Sequence, residues 1–181
     1  MLAVIVRSWF VFTVVLCCIL TLVSVAYASK AEPTDVLFAL EKSTNANRVI
    51  YDVTHDSSAP VRARWEMLAE DGRYEALNSF ERNRIYGVKV LNREPGSVSF
   101  TFKALPEYPI FVTEIAGEPA AQIQLLGKTR RIRRIFLKLS EGIFPKIKAI
   151  EFSLDGSEQV SLLPKREGEW REVETTAMEA R

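Results

Sequence analysis

The chain has 181 residues, 48% hydrophobic and 26% charged, and its 24 Lys and Arg nearly balance 23 Asp and Glu, for a formal net charge of +1. That balance excludes the strongly basic footprint of a general nucleic-acid binder. The length suits one domain with a real core and is too short for two comfortable ones.

Residues 1–28 have the anatomy of a secretory signal. Arg7 precedes an apolar run from Trp9 to about Ala26, and the small-x-small site Ala26-Tyr27-Ala28 is followed by polar Ser29 and Lys30. Cleavage after Ala28 would place the protein in the periplasm or outside the cell. The run approaches the about 20 apolar residues that span a bilayer, so an uncleaved N-terminal anchor is the alternative and the one route to a membrane. Lipoprotein processing fits less well, because Leu16 rather than a small residue precedes Cys17 and Cys18. Cleavage removes Arg7 and no acidic residue, which takes the formal charge from +1 to zero. It also removes both cysteines, leaving no disulfide, thiol nucleophile or cysteine metal site in the mature chain.

Residues 29–34 read as a tether, and 35–165 as a single β-rich domain. After a short apolar run, Val36 to Leu40, "NRVIYDVTH" alternates with Val49, Tyr51 and Val53 on one face. "HDSSAP" is a turn by composition, and "VRARWEML" alternates again, so the pair predicts a hairpin. "LNSFERNRIYG" predicts the one helix, with Asn78 as N-cap, Glu81 three residues on as in a capping box, and Gly87 as the stop.

Strand signals then follow in series: "VKVLNRE", "VSFTFKAL", "YPIFVTEI", "AAQIQLL" and "TRRIRRIFLKL", with a break expected at Pro106 and a turn at Gly127-Lys128. "KIKAIEFSL" and "QVSLLP" predict a closing hairpin across "DGSE". The apolar phase slips between Ala149 and Ile150, which predicts a β-bulge. Residues 166–181 read as a charged, frayed tail. Nine or ten short strands without βαβ alternation predict an all-β fold, an antiparallel sandwich or flattened barrel with one short α-helix after the third strand.

Few residues carry recognisable chemistry. His55 is the single histidine and sits beside Asp56, but sequence neighbours such as Ser57 and Ser58 seldom give triad geometry. A P-loop, a G-x-G-x-x-G turn and an EF-hand loop are all missing, and with one histidine no metal site or cofactor is expected. Arg130, Arg131, Arg133 and Arg134 fall close together and offer two readings. They can form a patch for an anionic partner, or pair with glutamates on neighbouring strands. Trp65, Tyr51, Phe100, Phe102, Phe111, Phe136 and Phe152 all fit the apolar phase of their strands, either as core or as the lining of a barrel interior.

Three stretches in order, "EKSTNANRVIYDV", "VRARWEML" and "GRYEALNSFERNRIYGVKV", resemble a family of secreted bacterial domains, domain of unknown function 4833. The resemblance covers nearly all of residues 36–165 and places Ser43, Asn45, Asn47, Tyr51, Trp65, Leu77, Glu81, Arg82, Tyr86 and Gly87 on the family's motifs. It implies no activity, substrate or cofactor.

Ser43, Asn45 and Asn47 can form a polar ligand pocket together with Tyr51 and Trp65, or tie down the corner that launches a strand. Glu81, Arg82 and Tyr86 can meet that corner in a buried polar network joining helix to sheet. The expectation is an exported, non-enzymatic binding or structural module whose partner is an envelope protein or a small ligand. The alternatives are a carrier of an apolar ligand inside a barrel, and a hydrolase using Glu81 or the His55-Asp56 pair.

Overall fold

The computed structural model describes residues 35–54, 59–94, 97–142, 146–166 and 168–175. The signal segment, the tether at 29–34 and the His55-Asp56 pair lie outside the described residues. Among the described residues no helix is long and apolar enough to cross a membrane.

The fold is all-β. Twelve strands form one sheet curled into a half-barrel: β1 (Val36–Lys42), β2 (Asn45–Val53), β3 (Val61–Glu66), β4 (Tyr74–Ala76), β5 (Val88–Glu94), β6 (Ser97–Phe102), β7 (Leu105–Ile115), β8 (Glu118–Leu125), β9 (Lys128–Leu139), β10 (Ile147–Leu154), β11 (Gln159–Arg166) and β12 (Glu169–Glu174). The spatial order is β4-β3-β2-β1-β9-β8-β7-β6-β5, and β10, β11 and β12 extend from β9 as a separate branch. Strand β9 is the junction. Its start pairs with β8 and its remainder with β10, while Arg134–Leu137 also pair with Ala39–Lys42 of β1. That β1–β9 ladder is parallel in an otherwise antiparallel sheet.

The predicted β2–β3 hairpin is present, with Val53 opposite Val61, as is the β10–β11 pair. The bulge on β10 falls between Ile147 and Ala149, so that Ala149 and Ile150 are both buried in succession. That double burial is the phase slip visible in the sequence. The turn before β9 is Leu126-Gly127, one residue earlier than expected. Both residues have positive φ, as a two-residue hairpin turn of this hand requires.

Besides that turn, five features differ from the sequence reading. Pro106, expected as a break, lies inside β7, and the turn falls at Lys103-Ala104. Strand β4 lies between β3 and the helical segment; three residues are too few to show a period. That segment (79–85) is mostly π-helical rather than α-helical, because Tyr86 N–H reaches back five residues to Glu81 C=O at 2.8 Å. Residues 169–174, read as tail, form β12 on β11, where Trp170 packs against the core. Phe111 is 41% exposed, because Ile110 and Val112 take the inward positions of β7.

The core is aromatic where the two leaves of the sheet meet. Phe38 of β1 stacks on Tyr51 of β2 with ring centroids 4.9 Å apart, and Phe102 of β6 meets Tyr51 edge-on at 5.3 Å. Such offset and edge-to-face pairs add to the apolar burial of each ring. On the other side of β2, the buried Asp52 carboxylate accepts hydrogen bonds from Arg62 and Arg64 of β3. Two guanidinium groups compensate the desolvation of this one charge.

Candidate functional site

The corner between β1 and β2 is a short turn, Ser43-Thr44, closed by Lys42 opposite Asn45. Ser43 N–H donates to Leu137 C=O at 3.0 Å, and the Ser43 hydroxyl accepts from Leu139 N–H at 3.0 Å. The serine therefore carries the parallel β1–β9 contact past the end of β1 and pins the corner to β9. Asn47 Oδ1 accepts the Ala69 N–H at 3.0 Å and so holds the loop that follows β3. Asn45 is exposed and forms no hydrogen bond with another described residue through its side chain.

The helical segment brings the second set of residues to the same place. Asn78 and Glu81 form the reciprocal capping box: Glu81 N–H donates to Asn78 Oδ1, and Asn78 N–H donates to Glu81 Oε2, each at 2.9 Å. Arg82 folds back to donate to Leu77 C=O at 2.8 Å. Gly87 is obligatory for a steric reason, since a Cβ there would lie 1.6 Å from Arg82 O. Tyr86 C=O then accepts the Tyr51 hydroxyl at 2.7 Å. Burial drives the Tyr51 phenol well above its ordinary range, and burial followed by the nearby Glu81 charge raises Tyr86.

Between these two sets lies a cleft of about 380 Å³, lined by Lys42, Asn45, Asn47, Trp65, Asn78 and Glu81 among others. Corner and helical segment therefore face each other across open space, not in the buried polar network that the sequence suggested. No hydrogen bond joins Asn45 or Asn47 to Glu81, Arg82 or Tyr86 among the described residues; the buried link between helix and sheet comes from Tyr51, and an exposed one from Lys103 Nζ, which donates to Asn83 Oδ1 at 3.3 Å.

Lys42 was not singled out in the sequence, yet it occupies the centre of this arrangement. Its ammonium sits 4.5 Å from the Trp65 ring centroid and 6.0 Å from that of Tyr86, and these two rings meet edge-on at 5.1 Å. Burial lowers the lysine below its ordinary range, with the Glu81 charge opposing. The signal was available. Phe38 and Leu40 point inward, and the period of two carries Lys42 to that same side.

The four arginines are dispersed among carboxylates. Arg130 meets Glu158, Arg133 meets Asp155, Arg134 lies 3.3 Å from Glu41 and Arg131 lies 3.9 Å from Glu118. Beneath the helical segment, an apolar pocket bounded by Leu40, Tyr86, Phe102 and Ile135 has about 40 Å³ of space. Small-molecule sites usually offer about 300–1,000 Å³. Among the described residues no three His, Cys, Asp or Glu side chains are grouped to hold a metal ion.

The family model of Domain of unknown function (DUF4833) matches residues 38–162, more than half of the chain. The chain belongs to this family. The DUF4833 match begins in β1 and ends in β11, so it includes every cleft residue named above. No curated protein and no solved structure matches the chain. The family description states no activity or ligand for DUF4833.

Proposed function

We propose that this DUF4833 chain is a non-enzymatic binding module that works after export and takes a polar ligand in the cleft between the β1–β2 corner and the helical segment. The carrying observation is the convergence of Lys42, Asn45 and Asn47 from the β1–β2 corner with Asn78 and Glu81 from the helical segment around about 380 Å³ beside the Trp65 ring. That volume falls within the range of small-molecule sites. Among the described residues no hydroxyl or thiol nucleophile lines the cleft, and Glu81 Oε2 is occupied by the Asn78 N–H. These two facts favour binding over hydrolysis.

The test is an NMR titration of the side-chain amides with a library of sugars, amino acids and short peptides. A ligand should perturb Asn45, Asn47 and Asn78 together, and Asn45→Ala should weaken it without altering the fold. Binding confined to another surface would refute the assignment. Export is tested separately by mass spectrometry of protein from the native host, with Ser29 expected at the N-terminus. A retained Met1 in the membrane fraction would favour the anchor.

A further inference from the structure

We infer that the cleft grips its ligand through an anionic oxygen group, a carboxylate or a phosphate, held by the Lys42 ammonium; this rests on the reading of the cleft as a binding site. The first support is the placement of Lys42. Its backbone pairs with Asn45 on one side and Leu137 on the other, and the next residue is pinned to β9 by two further hydrogen bonds. The side chain thus starts from a fixed base and lies along the Trp65 and Tyr86 rings. The ring faces attract the positive charge but leave the three N–H donors without a conventional acceptor.

No other described residue supplies that acceptor, since Lys42 forms no hydrogen bond or ion pair with any of them. The two acids of the cleft are engaged elsewhere. Glu81 is oriented by its capping bond to Asn78, and Glu75 is paired with Arg73 at 2.8 Å. Glu81 therefore acts on Lys42 through its field, from beyond ion-pair distance, and Tyr86 offers only its ring.

The second support is the identity of the amide groups. Asn47 and Asn78 each accept a backbone N–H, from Ala69 and Glu81 respectively, so in both the oxygen is fixed by its partner. Each thus has its oxygen oriented by one donor and its Nδ2 amino group without a partner among the described residues. The exposed Asn45 Oδ1 is a spare acceptor in the cleft but does not bond Lys42, and the ammonium and the two amide groups have no acceptors among the described residues. A ligand bearing anionic oxygen supplies them, and charge-assisted hydrogen bonds are the stronger kind.

The experiment uses the full protein and three probes: N-acetylglycine, methyl phosphate and the neutral N-acetylglycinamide. NMR follows the Lys42 side-chain methylene next to the ammonium and the Nδ2 resonances of Asn47 and Asn78. One or both anions should raise the Lys42 titration midpoint and shift both amides, and which anion does so separates carboxylate from phosphate. Lys42→Met should weaken that anion at least about tenfold, a loss of one decade in Kd, while Lys42→Arg retains most of the affinity. Equal binding of N-acetylglycinamide, or full affinity in Lys42→Met, would overturn the anion assignment and leave the cleft reading standing. Silence of every cleft resonance with all three probes at millimolar concentration would overturn the assignment and count against the cleft as well.

Discussion

The Tyr51 hydroxyl donates a 2.7 Å hydrogen bond to the backbone carbonyl of Tyr86, 35 residues further along the chain and inside the core. This single bond joins the middle of β2 to the end of the helical segment, and so fixes one wall of the cleft against the sheet. Tyr51→Phe keeps the ring and strands the carbonyl. It should cost about 1–3 kcal/mol in urea unfolding, the penalty for a buried polar group left without its partner. A wild-type midpoint in the variant would show that packing and the Lys103 hydrogen bonds hold the segment without this bond.

The same residue predicts an alkaline signature. Tyr51 has a folded pKa well above its ordinary value of about 10, because burial disfavours the phenolate. Its contribution to stability is therefore complete below about pH 10 and is lost as pH rises from there towards the folded pKa. Lys42, lowered by burial, has the opposite sign: its contribution is present above the ordinary lysine value and is lost as pH falls through the folded pKa. It is common to wild type and Tyr51→Phe and drops out of their difference. Urea midpoints measured from pH 8 upwards should fall less steeply for Tyr51→Phe than for wild type. Parallel curves would mean that Tyr51 ionises freely.

Gly87→Ala should be among the most damaging single-methyl additions in the molecule. The new Cβ would lie 1.6 Å from a backbone oxygen rather than from a side chain that can swing aside. A loss of about 3 kcal/mol or more is expected, at or above the upper end for overpacking. Thermal unfolding gives the answer, and a change below about 1 kcal/mol would mean that the chain passes Arg82 by another path.

Asn47 and Glu81 line one cleft but serve separate backbone partners. Asn47→Ala should cost about 0.5–1.5 kcal/mol and Glu81→Ala, which removes half of the capping box, a similar amount. Their effects should add to within about 0.5 kcal/mol in a double-mutant cycle. A larger coupling energy would restore the direct polar network between corner and helix that the sequence suggested.

Much of the fold was legible because strand alternation is a local signal. The β2–β3 hairpin, the capping box at Asn78 and the phase slip at Ala149 each rest on residues within a few positions of one another. What was hidden depends on distant partners. Glu169–Glu174 looks like a solvated charge run until β11 is known to lie beside it. Asp52 falls in the polar phase of an alternating strand, and only the placement of Arg62 and Arg64 across the ladder explains its burial. Lys42 likewise resembles the polar end of a strand. Its neighbours Trp65 and Tyr86 are brought to it by tertiary structure, and no local period announces them.

The junction at β9 has a consequence for how the molecule comes into being. Strand β1 is made first, yet its parallel partner lies near the other end of the domain; the hydroxyl of Ser43 meets the amide of Leu139 across 96 residues of chain. Closing so long a loop costs entropy before any contact repays it, which slows folding and leaves the early strands with a bare edge in the meantime. Strands β1 to β4 can pair among themselves through local hairpins, which already set Lys42 opposite Asn45, but the hold of β9 on Ser43 comes only with Leu137 and Leu139. Contact order thus predicts that the Ser43 corner of the cleft is pinned to β9 after the local hairpins around it are made.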